Sequence, residues 1–194
     1  MKGRESGMPD ERNWATFFDV EVALPKLLGA ENLSGDLVEF GCGYGTFTLP
    51  TARRTSGIIT ALDIEPEMVT IVRHKASELS LTNIYAEVRD FVATGTGLPA
   101  NSQAHAMIYN LLHIEHRDRL LEEARRVLRD DGHLSVMNWR SDVPTPRGPS
   151  LDIRPTPELC RAWLEMAGFV TIEAIDLGDC CPYHFGFRVR ASDF

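Results

Sequence analysis

The chain of 194 residues has no disulfide framework. Its four cysteines, Cys42, Cys160, Cys180 and Cys181, form no C-x-x-C pair, and thiols used so sparingly suit a reducing compartment. It also has no positive excess: 20 Lys+Arg against 28 Asp+Glu give a formal charge of −8. That is the wrong sign for generic nucleic-acid binding, which is dominated by phosphate neutralisation. No apolar run approaches the roughly 18 residues of a membrane-spanning helix. The start, MKGRESGMPDERN, is polar and holds no signal-peptide apolar core. Repeats and low-complexity tracts are missing too. The expectation is a single cytoplasmic domain over 1–194, working without nucleic acid or membrane, with its oligomeric state open.

What is there alternates. Apolar, β-branched runs occur at 36–40, 57–63, 83–88, 104–109 and 133–138. Near-continuous runs such as IITALDI suit strands buried on both faces of a parallel sheet. Helical patterns separate most of them. One starts with Pro66 in its first turn and runs to about Ser80, with Met68, Val69, Val72, Ala76 and Leu79 on one face. A second covers 117–129 and meets a stop signal at Asp130-Asp131-Gly132. A third takes Thr156 as cap and Pro157 as first residue and stops at Gly168. The last two apolar runs, 169–176 and 183–190, are separated by only LGDCCP, too short for a parallel crossover. The predicted fold is therefore α/β: a Rossmann-like, doubly wound, mostly parallel sheet of seven strands ending in an antiparallel hairpin. An amphipathic N-terminal segment at about 13–30 precedes the first strand, and Pro25 is expected to break or kink it.

The stretch LVEFGCGYGTF, 37–47, places Gly41, Gly43 and Gly45 where the first strand ends. Ligands of open α/β sheets bind beyond that edge, and bare backbone there permits close approach. A plain tight turn is the structural alternative. Three details favour a ligand, and one that is not a pyrophosphate. The spacing is G-x-G-x-G, with Thr46 where a dinucleotide fingerprint has its third glycine. Glu39 ends the strand with a carboxylate that would repel phosphate and suit a cation. Asp63 ends the second strand, where a carboxylate can accept from ribose hydroxyls. The loop reads as built for a positively charged nucleoside. A nicotinamide-dependent oxidoreductase is disfavoured by Thr46 and by the terminal hairpin.

With those residues in view, the chain resembles the class I S-adenosylmethionine-dependent methyltransferases over about 37–138. EFGCGYG is similar to that family's first motif, ALDI to its second, VRDF to its third, IYNLLHIEH to its fourth, and ARRVLRDDGHLSV to the approach to its fifth strand. The resemblance implies S-adenosylmethionine as cofactor. It implies that Gly41, Gly43 and Gly45 line the methionine and ribose, that Glu39 faces the amino-acid end, and that Asp63 binds ribose. Ile64 would lie against adenine, Asp90 would reach its amino group, Phe91 would pack on the ring, and Asn110 and Leu111 would pass the methionine. Relatives that methylate nucleobase amines or glutamine carry an Asn- or Asp-Pro-Pro-aromatic turn where this chain has Asn110-Leu111-Leu112-His113. With the acidic charge, that favours a small-molecule acceptor. His105, where relatives often have Asp, starts the fourth strand away from the site.

On the acceptor side, His113 is the candidate general base, since an imidazole ordinarily titrates near neutral pH. Packing or capping is its plain alternative. The segment WRSDVPTPRGPSLDIRPT has four prolines and leaves the ligand edge of the sheet, as functional loops do. Trp139 would wall the acceptor, and Arg140, Arg147 and Arg154 would hold it if it is anionic; pairing with the protein's own acids is the alternative. No metal site is expected from His116, Glu115, or Cys180 and Cys181. The functional expectation is methyl transfer to a small molecule. A non-catalytic S-adenosylmethionine-binding sensor or partner subunit is the second reading, to be separated by whether an acceptor cavity exists.

Overall fold

The computed structural model describes residues 9–29 and 33–191, so residues 1–8 of the polar start and residue 30 of the expected N-terminal segment lie outside the described residues. Two helices open the chain, α1 (Glu11–Ala15) and α2 (Val20–Leu28). Strands and helices then alternate: β1 (Leu37–Phe40), α3 (Thr48–Ala52), β2 (Ile59–Asp63), α4 (Pro66–Glu78), β3 (Ile84–Val88), α5 (Phe91–Thr94), β4 (Gln103–Tyr109), α6 (Arg117–Val127) and β5 (Leu128–Trp139). A 3-10 turn (Leu151–Ile153), α7 (Pro157–Met166), β6 (Val170–Ile175) and β7 (His184–Arg190) complete it. The strands form one seven-stranded sheet in the order β3-β2-β1-β4-β5-β7-β6. The first five are parallel, and β7 runs antiparallel between β5 and β6. The strand order reverses between β1 and β4, which opens a crevice at their carboxyl ends.

Alternation along the central strands divides the core. Ala106 and Ile108 of β4, with Leu134 and Val136 of β5, face the side covered by α6 and α7. Met107 and Tyr109, with Met137 and Trp139, face the side covered by the N-terminal segment. On that side α2 buries Ala23, Leu24, Leu27 and Leu28. Gly186 of β7 makes room for it: a Cβ there would stand 3.1 Å from Leu27 Cδ2 and 2.9 Å from Leu177 Cδ1.

Three local expectations are corrected. Helix α2 runs through Pro25 to Leu28, and the interruption falls at 16–19 instead. Proline removes only the bond to the Glu21 carbonyl, which lies on the exposed side of the helix where water reaches it. Helix α6 stops at Val127 and not at Asp130-Asp131-Gly132. Leu128 turns extended, pairs with Gln103 and is buried, and a register shift follows before His133 pairs with His105. Sheet pairing overrides the local stop signal there. Leu79 lies past the end of α4 and is exposed. The Thr156 cap is as expected, its hydroxyl accepting from Leu159 N at 3.2 Å. Among the described residues no helix is long and apolar enough to cross a membrane.

Leu27 has no exposed surface. Leu27→Ala should therefore lower unfolding free energy by about 2–5 kcal/mol through lost burial and the cavity left behind, read as a drop in urea midpoint at unchanged slope. A change within about 0.5 kcal/mol would mean that α2 contributes little to the fold.

Candidate functional site

The loop after β1 is held by its neighbour strand. Gly41 N and Cys42 N both donate to Leu62 O, at 2.8 and 2.9 Å. Gly43 N donates to Asp63 Oδ2 at 2.9 Å, and Asp63 Oδ1 accepts from Glu65 N at 3.0 Å. Gly41, Gly43 and Gly45 all have positive φ, at 75°, 50° and 76°, a region that side chains other than glycine's enter only under strain. Asp63 thus braces the loop as well as facing the cleft. Beneath the loop, Glu39 is almost fully buried and accepts a hydrogen bond from the Thr48 hydroxyl. Burial pushes its carboxyl up to about 8; the Thr48 bond opposes the shift and the Asp63 charge adds to it.

A cleft of about 240 Å³ runs along this edge. Of the residues expected in the site, it collects Glu39, Gly41, Gly43, Asp63, Ile64, Asp90, Phe91, Asn110, Leu111, His113, Trp139 and Arg147. Asp90 also caps α5, accepting from Ala93 N at 2.9 Å. Phe91 stands edge-on to Phe40. Asn110 leaves β4 at φ 59°, its amide nitrogen 3.3 Å from His184 Nε2.

Three expected residues stand elsewhere. Gly45 is buried away from the cleft, where a Cβ would meet Val72 and Leu49 at 3.1 and 3.2 Å. Arg140 forks onto its near neighbour Asp142 at 2.9 and 2.6 Å. Arg154 is turned inward and buried, donating to the carbonyls of Pro149, Arg140 and Arg147 at 2.8, 3.0 and 3.2 Å. It therefore clamps the proline-rich loop over Trp139, 5.7 Å from that ring. His113 is in place, but it does not titrate near neutrality. Burial, with the Arg154 charge, lowers it to about 4, so it is neutral and weakly basic at pH 7. Cys180 and Cys181 are buried free thiols in the core under α2.

The sequence reading did not assign Trp14, Thr46, Phe47, Tyr109, or the backbone at Gly148 and Pro149, all of which line the cleft. Trp14 Nε1 donates to Thr46 Oγ1 at 3.1 Å, and the Tyr44 hydroxyl donates to Pro9 O at 2.9 Å. These bonds lay the start of the chain over the glycine loop. The aromatic cluster Trp14, Phe17 and Phe18 was the available signal. Phe17 and Phe18 went into the core, and Trp14 went into the cleft wall.

The geometry defines an α/β protein with a cleft at the switch point of a doubly wound sheet, lined by carboxylates that suit a cationic nucleoside. Residues 37–132 match the family model described as a methyltransferase domain. The fold is shared with an S-adenosylmethionine-dependent methyltransferase from Aquifex aeolicus, at 21% identity over 93% of each chain and TM-score 0.78. It is shared with another from Mesorhizobium loti, at 18% identity over 88% of this chain and 97% of that one, TM-score 0.68. A geranyl diphosphate methyltransferase solved with its substrate and sinefungin aligns at 14% identity over 93% of this chain and 78% of that one, TM-score 0.71. No curated protein matches the chain. Residues 37–132 carry a methyltransferase domain, on a fold shared with S-adenosylmethionine-dependent methyltransferases. The donor set fits S-adenosylmethionine, a cationic nucleoside. Four carboxylates line the glycine-loop end, and Arg89 beside them is held by Glu87 and the Gly95 carbonyl; the apolar surfaces of Ile64, Met68 and Phe91 complete that end.

Asp63→Ala should weaken S-adenosylhomocysteine binding by about 1–3 kcal/mol, the range for one lost charge-assisted or buried partner. Calorimetry showing unchanged affinity in a folded variant would remove Asp63 from the binding set. A second expectation concerns pH. His105 and His184 are held down to about 3 and His113 to about 4, mainly by burial. The unfolded chain protonates first as pH falls through about 6.5, so stability declines below that value. Glu39 has the opposite sign. Its unfolded form ionises above about 4.5 while the folded form keeps its proton to about 8, so stability also declines as pH rises over that window. The two trends place the maximum between about 6.5 and 7 for these groups. Urea unfolding of the ligand-free protein should show the alkaline decline, and Glu39→Gln should flatten it. An identical alkaline limb in that variant would contradict the assignment.

Proposed function

We propose that this protein methylates a small molecule held in the same cleft, with S-adenosylmethionine as donor. The supporting observation is the continuity of the cleft: it runs from the glycine loop to His113 and on to Arg147, Gly148 and Pro149 of the proline-rich loop. A binding-only protein has no need of this second, walled compartment. When bound, the cofactor supplies an activated methyl group on a cationic sulfur. The chain supplies position and dryness, which govern such a displacement. The N-terminal helix and the proline-rich loop cover the compartment, and Trp14 and Trp139 meet edge-on in its wall with ring centroids 6.3 Å apart. Covers of this kind admit a free small molecule more readily than a residue within a folded polymer. Arg147 is exposed toward the cleft and can pair with an anionic group of the acceptor. His113 offers a neutral imidazole as a hydrogen-bonding wall.

Label from methyl-labelled S-adenosylmethionine should enter the low-mass fraction of a metabolite extract, with release of S-adenosylhomocysteine. Label in protein or nucleic acid would overturn the small-molecule reading. Tight S-adenosylhomocysteine binding with no transfer to any fraction would favour the sensor or partner-subunit alternative. With an acceptor in hand, His113→Ala should raise KM more than it lowers kcat. A loss of about 10²–10⁴ in kcat with disappearance of the acidic limb would instead make His113 a general base.

A further inference from the structure

The carboxylates lining the cleft are sorted by strand. Glu39, Asp63, Glu65 and Asp90 all come from the ends of β1, β2 and β3, where Arg89 also lines the cleft with its guanidinium held by Glu87 at 2.9 Å and the Gly95 carbonyl at 2.8 Å. The lining residues that follow β4 and β5 include no carboxylate among the described residues; they bring His113 and Arg147. Behind that wall lies Arg154, 8% exposed, whose hydrogen-bond partners are three carbonyl oxygens and no acid. A buried guanidinium satisfied only by neutral acceptors keeps its full charge, and Trp139, which it overlies, forms the cleft wall. Arg147, too, has no ion pair with a described residue. The acceptor compartment is thus electropositive and apolar, and the donor compartment is acidic.

We propose that the methyl acceptor is an apolar organic carboxylate and that its ionised oxygen is the atom methylated, giving a methyl ester. This rests on the methyltransferase reading above. Such a compartment repels an ammonium and holds a carboxylate through the Arg147 fork. It also lacks a base for acceptors that must lose a proton. His113 is held down at about 4, and transfer to it from a phenol or ammonium near 10 is uphill by about a millionfold. The Tyr109 hydroxyl is turned away from the cleft onto Ser135 Oγ at 2.8 Å. A carboxylate needs no base. Its oxygen lone pair forms the bond to the methyl carbon as the carbon–sulfur bond breaks, and that pair stays on sulfur. Cation and anion become two neutral products, and no proton moves.

The test uses the full chain saturated with S-adenosylhomocysteine. Cinnamate and decanoate are titrated against cinnamamide and decanamide. The acids should bind at least about tenfold more tightly than the amides, the value of one charge-assisted bond, and Arg147→Gln should erase that preference. Label transferred from S-adenosylmethionine to an acid should be released as volatile methanol on mild alkali. No preference for the acids, including failure of both acid and amide to bind, overturns the inference, as does label that survives alkali. Failure of S-adenosylhomocysteine itself to bind would overturn the methyltransferase reading instead, so the two failures are distinguishable.

Discussion

The hydrogen bond from Gly43 N to Asp63 at 2.9 Å is the constraint on which the site depends. It ties the turn after β1 to the end of β2, and the same carboxylate reaches Glu65 N before α4 begins. The turn can follow that path only because its glycines accept positive φ. Where the path goes, Glu39 is sealed beneath it against Thr48. Strand pairing and cleft geometry are therefore coupled through one side chain, whose charge also sets the sign of ligand the cleft will take.

From that anchor the cleft acquires a direction. The strand order puts three acidic strand ends on one side of the switch point, and β4 and β5 on the other. Neither end would be closed by the sheet alone. At the glycine-loop end, Lys75 binds both the Tyr44 carbonyl and the Glu11 carboxylate, fastening α1 down. At the other end, Arg154 does the same for the proline-rich loop. Burying a guanidinium is costly unless its donors are satisfied; three carbonyls of the loop satisfy them. The residue that stiffens the cover thereby leaves an uncancelled positive charge behind the acceptor wall. That charge makes the compartment electropositive and adds to the burial that mainly lowers His113.

Much was legible in the sequence because it is local or periodic. Buried parallel strands read as unbroken apolar runs, amphipathic helices as 3.6-residue repeats, and the site loop as glycines directly after a strand. The short LGDCCP linker excluded a parallel ending on length alone. Those signals were sufficient for the class of the seven-stranded sheet and for the strand-end carboxylates Glu39 and Asp63, since a residue at the carboxyl end of a central strand can face only one crevice; Asp90, after the edge strand β3, came from the family resemblance. The end of α6 was misread because Asp130-Asp131-Gly132 is a good stop signal, and pairing of Leu128 with Gln103 overrules it. No break formed at Pro25 because loss of one exposed hydrogen bond does not outweigh the burial of Leu24, Leu27 and Leu28.

What only the tertiary structure decided is the assignment of long side chains. Arg140, Arg147 and Arg154 lie in one loop and look equivalent in the sequence. Folding gave Arg140 to Asp142, Arg154 to three backbone carbonyls, and left Arg147 toward the cleft. His113 was found by position, but its proton affinity was set by burial and by Arg154, which is distant in sequence. Trp14 entered the cleft wall through its bond to Thr46, 32 residues away, and its ring contact with Trp139. Strand and helix follow from backbone preferences and side-chain period, which a sequence displays directly. The partner of a flexible cation and the environment of an imidazole depend on contacts between remote segments, and these exist only once the chain has packed.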